Sequence, residues 1–248
     1  MSGLLIAELI KLRTVRSFWG YLAALVGLAA IGAAGTIGSA TDADRARDTF
    51  LPDLAAVGSV AGLIALVLGI VVVTSEFRHG TITPTLLVTP ARERVLAVKW
   101  LVAIAAGTAL AILALVVVAA VTVPWLSALG DSAAVDGETG ERAARVVLQS
   151  ALWAAIGVAI GTAVQGQVAA LLGALIWFLV AEPLLSALLG VLDLDGVVPY
   201  LPNRSFDAVL GGTGEGRLSF AGGLAVAIGW IVAVGALGVL RTERADIT

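Results

Sequence analysis

An all-α integral membrane protein that crosses the bilayer six times is the fold class the sequence predicts, and three observations carry that prediction. Of the 248 residues, 59% are hydrophobic and 13% charged, against roughly 45–50% and about 25% in an ordinary soluble domain. So few charges do not cover a water-facing surface. The charges are also unevenly spread, leaving long segments with none, and such segments need a solvent other than water. Finally, Lys and Arg collect in alternate loops, as they do when every second loop stays cytoplasmic. Helices rather than a barrel follow because a bilayer interior offers backbone groups no water, and these runs lack the alternation of barrel strands.

The first span is the uncharged stretch Ser17 to Thr41, longer than the ~20 residues a helix needs to cross a ~30 Å hydrocarbon core. Asp53 and Glu76 bracket the second, Leu54 to Ser75, and Lys99 and Asp131 bracket the third, Trp100 to Gly130. Pro124 is expected to loosen the third span's outer end. A polar segment, Asp131 to Arg145, separates it from an apolar run over Val146 to Val164, which pauses at Gln165-Gly166-Gln167 and resumes from Val168 to Leu192. We read two spans joined by a very short turn. The sixth is Leu218 to Leu240, closed by Arg241. The whole chain, 1–248, reads as a single transmembrane domain with a cytoplasmic link over 76–99.

One side collects nine cations (Lys11, Arg13, Arg16, Arg78, Arg92, Arg94, Lys99, Arg241 and Arg244) against five acids. The other holds six cations against twelve acids, and Glu182 alone falls inside a span. The first side is therefore expected to face the cytoplasm, with both termini. A cleavable signal peptide is the competing reading of the N-terminus, with Lys11 to Arg16 as its basic region and Gly38-Ser39-Ala40 as its cleavage site. The apolar run exceeds the ~7–15 residues of a signal core.

Composition also excludes chemistry. Without cysteine there is no disulfide framework and no thiolate metal site. No Lys/Arg run of nucleic-acid-binding length appears, so nucleic acid is not an expected partner. The two lysines precede Leu12 and Trp100, so the Gly-Lys-Ser/Thr ending of a phosphate-binding loop is missing. With one histidine, Ser-His, Cys-His and zinc chemistries lack material, and the chain is not expected to be an enzyme or to carry a cofactor.

Four features stand out. The link Glu76-Phe77-Arg78-His79-Gly80-Thr81-Ile82-Thr83-Pro84, continuing to Arg94, is far longer than a turn, and its prolines and glycine suggest a short surface helix between two breaks. It either presses on a cytoplasmic partner or anchors Arg78, Arg92, Arg94 and Lys99 at anionic headgroups. Leu4 to Arg16 mixes apolar residues with Glu8, Lys11, Arg13 and Arg16, as an interfacial helix does, although an ordinary basic flank fits as well. Glu182, followed by Pro183, sits ~21 Å along the fifth span counted from Val168. It is either an intramembrane functional acid or a structural carboxylate satisfying freed backbone amides or a neighbouring Arg. Gly58/Gly62 and Gly157/Gly161 are small-residue pairs that allow close helix approach. His79, the one histidine, has no partner of metal-ligand spacing in the sequence, and no metal site is expected.

The pattern resembles the membrane subunit of a type-2 ATP-binding-cassette (ABC-2) exporter, particularly the small bacterial permeases. The residues that carry the resemblance are Glu8-Leu9-Ile10-Lys11-Leu12-Arg13-Thr14-Val15-Arg16-Ser17-Phe18-Trp19, Ser75 to Thr83, the Lys99 entry to the third span, and Ala181-Glu182-Pro183-Leu184-Leu185. The resemblance implies a six-helix permease half that pairs with an identical or related half in the bacterial cell membrane. A separate cytoplasmic ATPase, holding ATP and Mg, would drive it. It implies further that Glu76, Phe77, Arg78, His79, Gly80 and Thr81 belong to the ATPase-coupling helix, that Gly3 to Arg16 is the connecting helix, and that Leu184 to Asp207 forms short outer re-entrant or interfacial helices. Some relatives carry a large extracellular domain, whereas no outer loop here exceeds about 25 residues. Two rivals stand beside this: a proton-coupled secondary transporter using Glu182, and a membrane scaffold subunit that transports nothing.

Overall fold

A computed structural model describes residues 16–79, 92–211 and 216–245. Among the described residues there is no strand, and six helices are long and apolar enough to cross a membrane: Phe18–Ser39, Phe50–Ser75, Val95–Leu129, Gly137–Val164, Gln167–Val191 and Phe220–Arg241. The chain is an all-α multi-pass membrane protein. Its helices are α1 (Arg16–Ser39), the short α2 (Asp42–Arg45), α3 (Phe50–Val57), α4 (Val60–His79), α5 (Arg92–Leu129), α6 (Gly137–Val164) and α7 (Gln167–Ile176). One π-turn, Trp177–Ala181, joins α7 to α8 (Glu182–Val191). A 3-10 helix, Asp195–Tyr200, then leads to α9 (Pro202–Leu210), and α10 (Phe220–Ala245) completes the bundle. Short helices thus lie between spans five and six.

Several boundaries differ from the sequence reading for identifiable reasons. Span two is α3 and α4 run together across a turn at Gly58-Ser59, so Asp53 lies in the first turn of α3 instead of outside the span. There, a carboxylate complements the amino-terminal end of the helix dipole. The third span begins earlier than read, at Arg92, and runs through Pro124 to Leu129, beside the expected end at Gly130. The segment read as a polar loop up to Arg145 is helical from Gly137 onward. Asp136 caps it, its carboxylate accepting the Thr139 backbone N–H at 2.7 Å, and Glu138 occupies the first turn. That cap satisfies an amide the first turn leaves orphaned. At the other end Gln165 adopts a left-handed conformation, φ 60°, and Gly166 starts α7, giving the very short turn between spans four and five.

α6 is the central helix, packed against α3, α4, α5, α9 and α10. Of its most apolar window 72% is buried, and 61% for span two, against 22% for each of spans one, five and six. The last three therefore leave most of their surface on the outside of the bundle. Lipid tails are as apolar as Leu, so helices in a bilayer associate through close packing rather than water exclusion. Glycine supplies it here. A Cβ on Gly157 would strike the Leu66 carbonyl and lie 3.2 Å from the Gly69 Cα, while one on Gly161 would lie 3.0 Å from the Ile70 carbonyl oxygen. Gly62 accepts the Trp153 ring, and Gly58 the Leu115 side chain.

At the acidic end of the bundle, charges pair with each other. Arg45 bonds Asp131 at 2.7 Å, contacts Asp42 and donates to the Ala40 carbonyl at 3.0 Å, tying the link between spans one and two to the end of α5. Arg47 pairs with Asp44 and Arg145 with Glu141, and the Arg145 guanidinium sits 5.0 Å from the centre of the Phe220 ring. The Thr41 hydroxyl and backbone hold the Asp44 carboxyl below its usual range.

Candidate functional site

The densest group of buried polar and aromatic side chains surrounds α9. Along span five the buried positions Ala170, Ala174, Phe178 and Glu182 fall at steps of four. Four residues of an ideal α-helix turn through ~400°, so such a stripe drifts ~40° per step. The π-turn takes back part of that drift, because the Glu182 N–H reaches the Trp177 carbonyl five residues earlier. Pro183 has no N–H to give to the turn before it, which suits a local widening. Glu182 is thereby kept on the inner stripe, 1% exposed.

Its partners are backbone amides. Oε1 accepts the N–H of Asn203 at 2.6 Å and of Arg204 at 3.3 Å, the first turn of α9, where orphan donors and the positive end of the helix dipole favour an anion. Oε2 is buried with no hydrogen-bond partner. At the opposite end of α9, Arg142 from α6 donates Nη1 to the Leu210 carbonyl at 2.9 Å and to the Gly211 carbonyl. Between them, Gln149 Nε2 donates to the Phe206 carbonyl at 3.1 Å. A nine-residue helix is thus held at both termini by side chains of the sign its dipole requires.

Aromatic rings fill the space between. Trp153 stacks on Phe206 with centroids 4.5 Å apart and meets Phe178 edge-on at 4.7 Å. Because Trp153 also packs on Gly62, one residue joins α4, α6, span five and α9. On the other side Ser205 and Ala208 lie against Gly223 of α10, and Trp230 Nε1 donates to the Tyr200 carbonyl at 3.0 Å. Burial holds the Asp207 carboxyl above its usual range, opposed by Arg217 and Arg204.

The cationic end is described in part. Lys99 is 3% exposed and donates Nζ to the Val72 carbonyl at 3.1 Å. It does not extend to lipid headgroups, because α5 begins at Arg92 and carries Lys99 into the contact with α4. The backbone of Glu76, Phe77, Arg78 and His79 forms the last turn of α4, whereas Gly80 and Thr81 lie outside the described residues. Glu8, Lys11 and Arg13 also lie outside them, and Arg16 is the first residue of α1. How the residues expected in the coupling segment and the interfacial helix sit relative to Glu182 thus falls largely outside the described residues. Arg142, Gln149 and Trp153 were not singled out from the sequence. A signal existed in Gln149, an amide inside an otherwise apolar span, and in Arg142, close before that span begins.

No protein-family model matches the chain, and none of the curated proteins matches it.

Proposed function

We propose that the chain is the permease subunit of a type-2 ATP-binding-cassette exporter, forming one half of a membrane pathway and driven by a separate cytoplasmic ATPase. The observation that supports it most is the π-turn Trp177–Ala181 of span five, which ends where Ala181-Glu182-Pro183 carries the resemblance, followed by short helices with Glu182 capping α9. Six spans and the charge bias agree with a half of that kind in a bacterial cell membrane, its termini and the 76–99 link cytoplasmic. Closure of the ATPase pair on ATP would displace the link on each half and tilt α4 and α5. ATP shifts such an equilibrium only through different affinities for the two states.

Purification in mild detergent together with the neighbouring cassette ATPase is the direct test, read as stoichiometric co-elution and transport-coupled ATP hydrolysis. Deleting Phe77 to Thr81 should abolish both; unchanged binding and coupling would refute the assignment. The partnerless Oε2 of Glu182 favours a second reading, a proton-coupled transporter. Transport that follows a proton gradient without ATPase and stops on Glu182→Gln would establish it.

A further inference from the structure

Spans four, five and six enclose an apolar groove of about 250 Å³ that opens sideways from the bundle. Ile156, Ile160 and Val164 of α6 form one wall, Gly173 and Trp177 of span five the facing wall, and Trp230 of α10 contributes from the third side. Ile156 to Val164 covers ~12 Å along the helix at ~1.5 Å per residue, most of the ~15 Å hydrocarbon depth of one leaflet. The rim of span five beside it, Leu172, Ile176 and Leu179, is exposed and apolar. In a bilayer that rim meets acyl chains.

A cation stands at the end of the groove that Val164 marks. Arg241 of α10 is exposed and donates Nη1 to the Ala163 carbonyl at 3.1 Å, one residue from Val164. The bond anchors the guanidinium one residue from the Val164 end of the groove's lining, while the planar fork retains further donors of the kind that match phosphate oxygens. Apolar length and a fixed cation at one end are complementary to a single class of molecule.

We propose that this groove binds an anionic phospholipid, one acyl chain between spans four, five and six and its phosphate on Arg241. Gly173 offers a way to close the groove, because a Cβ there meets nothing within 4 Å, so a larger side chain enters the space without displacing a neighbour. The groove borders the α9 clamp at Phe178 and Pro202, and the proposal stands whether or not an ATPase drives the chain.

The test is native mass spectrometry of the full chain in mild detergent, titrated with palmitoyl-oleoyl phosphatidylglycerol or with the phosphatidylcholine of the same chains. The wild type should retain one phosphatidylglycerol in preference to phosphatidylcholine. Arg241→Gln should weaken phosphatidylglycerol about fivefold, the worth of one juxtamembrane cation, and leave phosphatidylcholine unchanged. Gly173→Leu should weaken retention of both lipids severalfold by filling the groove; Ala169→Leu, at another lining position, replaces it if that variant fails to melt cooperatively. Wild-type lipid retention in a folded, filled variant overturns the tail placement. Equal effects of Arg241→Gln on the two lipids overturn the headgroup placement. A lipid-free dimer, or many lipids of equal affinity, overturns the site altogether.

Discussion

Gly157→Ala adds one methyl group to the protein at its most crowded helix contact. The new Cβ meets backbone, the Leu66 carbonyl group with its carbon at 3.1 Å and the Gly69 Cα at 3.2 Å, and no rotamer change moves a backbone atom aside. α4 and α6 must separate along the whole seam, which also loosens Gly161 from Ile70 and Gly62 from Trp153. Overpacking of this kind costs about 1–3 kcal/mol, and rigid partners put the expectation near about 3. Against it stands the gain of about 0.8–1.0 kcal/mol from replacing Gly by Ala inside a helix. Gly27→Ala isolates that gain, because a Cβ at Gly27 meets nothing within 4 Å. The propensity term cancels between the two variants, so Gly27→Ala should exceed Gly157→Ala in stability by about 3 kcal/mol. Reversible unfolding in mixed micelles, followed by tryptophan fluorescence, measures the difference. Equal stability of the two variants would refute the claim that glycine contact holds α4 on α6.

Both ends of α9 are predicted to loosen separately. Glu182→Ala should raise amide hydrogen exchange at Asn203 and Arg204 about fivefold, the equivalent of a cap worth about 1 kcal/mol, and Arg142→Ala should raise exchange in the last turn of α9. An even increase across α10 would mean global loosening instead. Two carboxyls should give opposite pH dependences. Hydrogen bonding to Thr139, whose backbone N–H donates at 2.7 Å, holds the Asp136 carboxyl below its usual range, so its contribution is present above the ordinary carboxylate pKa and is lost as pH falls through the folded pKa. Burial raises Asp207 above 3.8, so stability falls as pH rises from that value through the folded pKa. In detergent melts Asp136→Asn should be the less stable chain at neutral pH, and Asp207→Asn the more stable one. Both gaps should close in acid, and a gap that persists there would contradict the assigned cause.

The six spans were legible because each contains a charge-free run near or beyond the length of a crossing helix, a property of composition that needs no contacts. Their ends were less so. Charged residues look like boundaries in the sequence, yet α6 begins at Gly137 and carries Glu138, Glu141, Arg142 and Arg145 inside it. The capping pattern Asp136 to Thr139 was the local sign of that start. Lys99 looked like a flank for the same reason, although its helix starts seven residues earlier and its ammonium turns inward to Val72. Glu182 was visible as a lone intramembrane acid, but its partners, Asn203 and Arg204, lie 21 and 22 residues further along the chain. Sequence spacing carries no record of that meeting. Among the glycine pairs the spacing was suggestive, but the partners Leu66, Gly69 and Ile70 follow only from the packing of α4 on α6.

Position and dipole together explain why α9 needs charged side chains at all. A nine-residue helix leaves orphan N–H groups at one end and orphan carbonyls at the other. Buried among α6, span five and α10, those groups have little water to turn to, and each unmade hydrogen bond costs about 1–3 kcal/mol. Glu182 and Arg142 answer the two ends from different helices, so α9 is held only while span five and α6 keep their present relation. That coupling bears on both functional readings. A proton taken up by Glu182 would weaken its hold on the first turn of α9, so a proton-driven cycle through this residue has to move α9 on every turnover. A cycle driven from the link at α4 and α5 has no such requirement, because no step of it protonates the carboxylate, which can keep its two amides throughout.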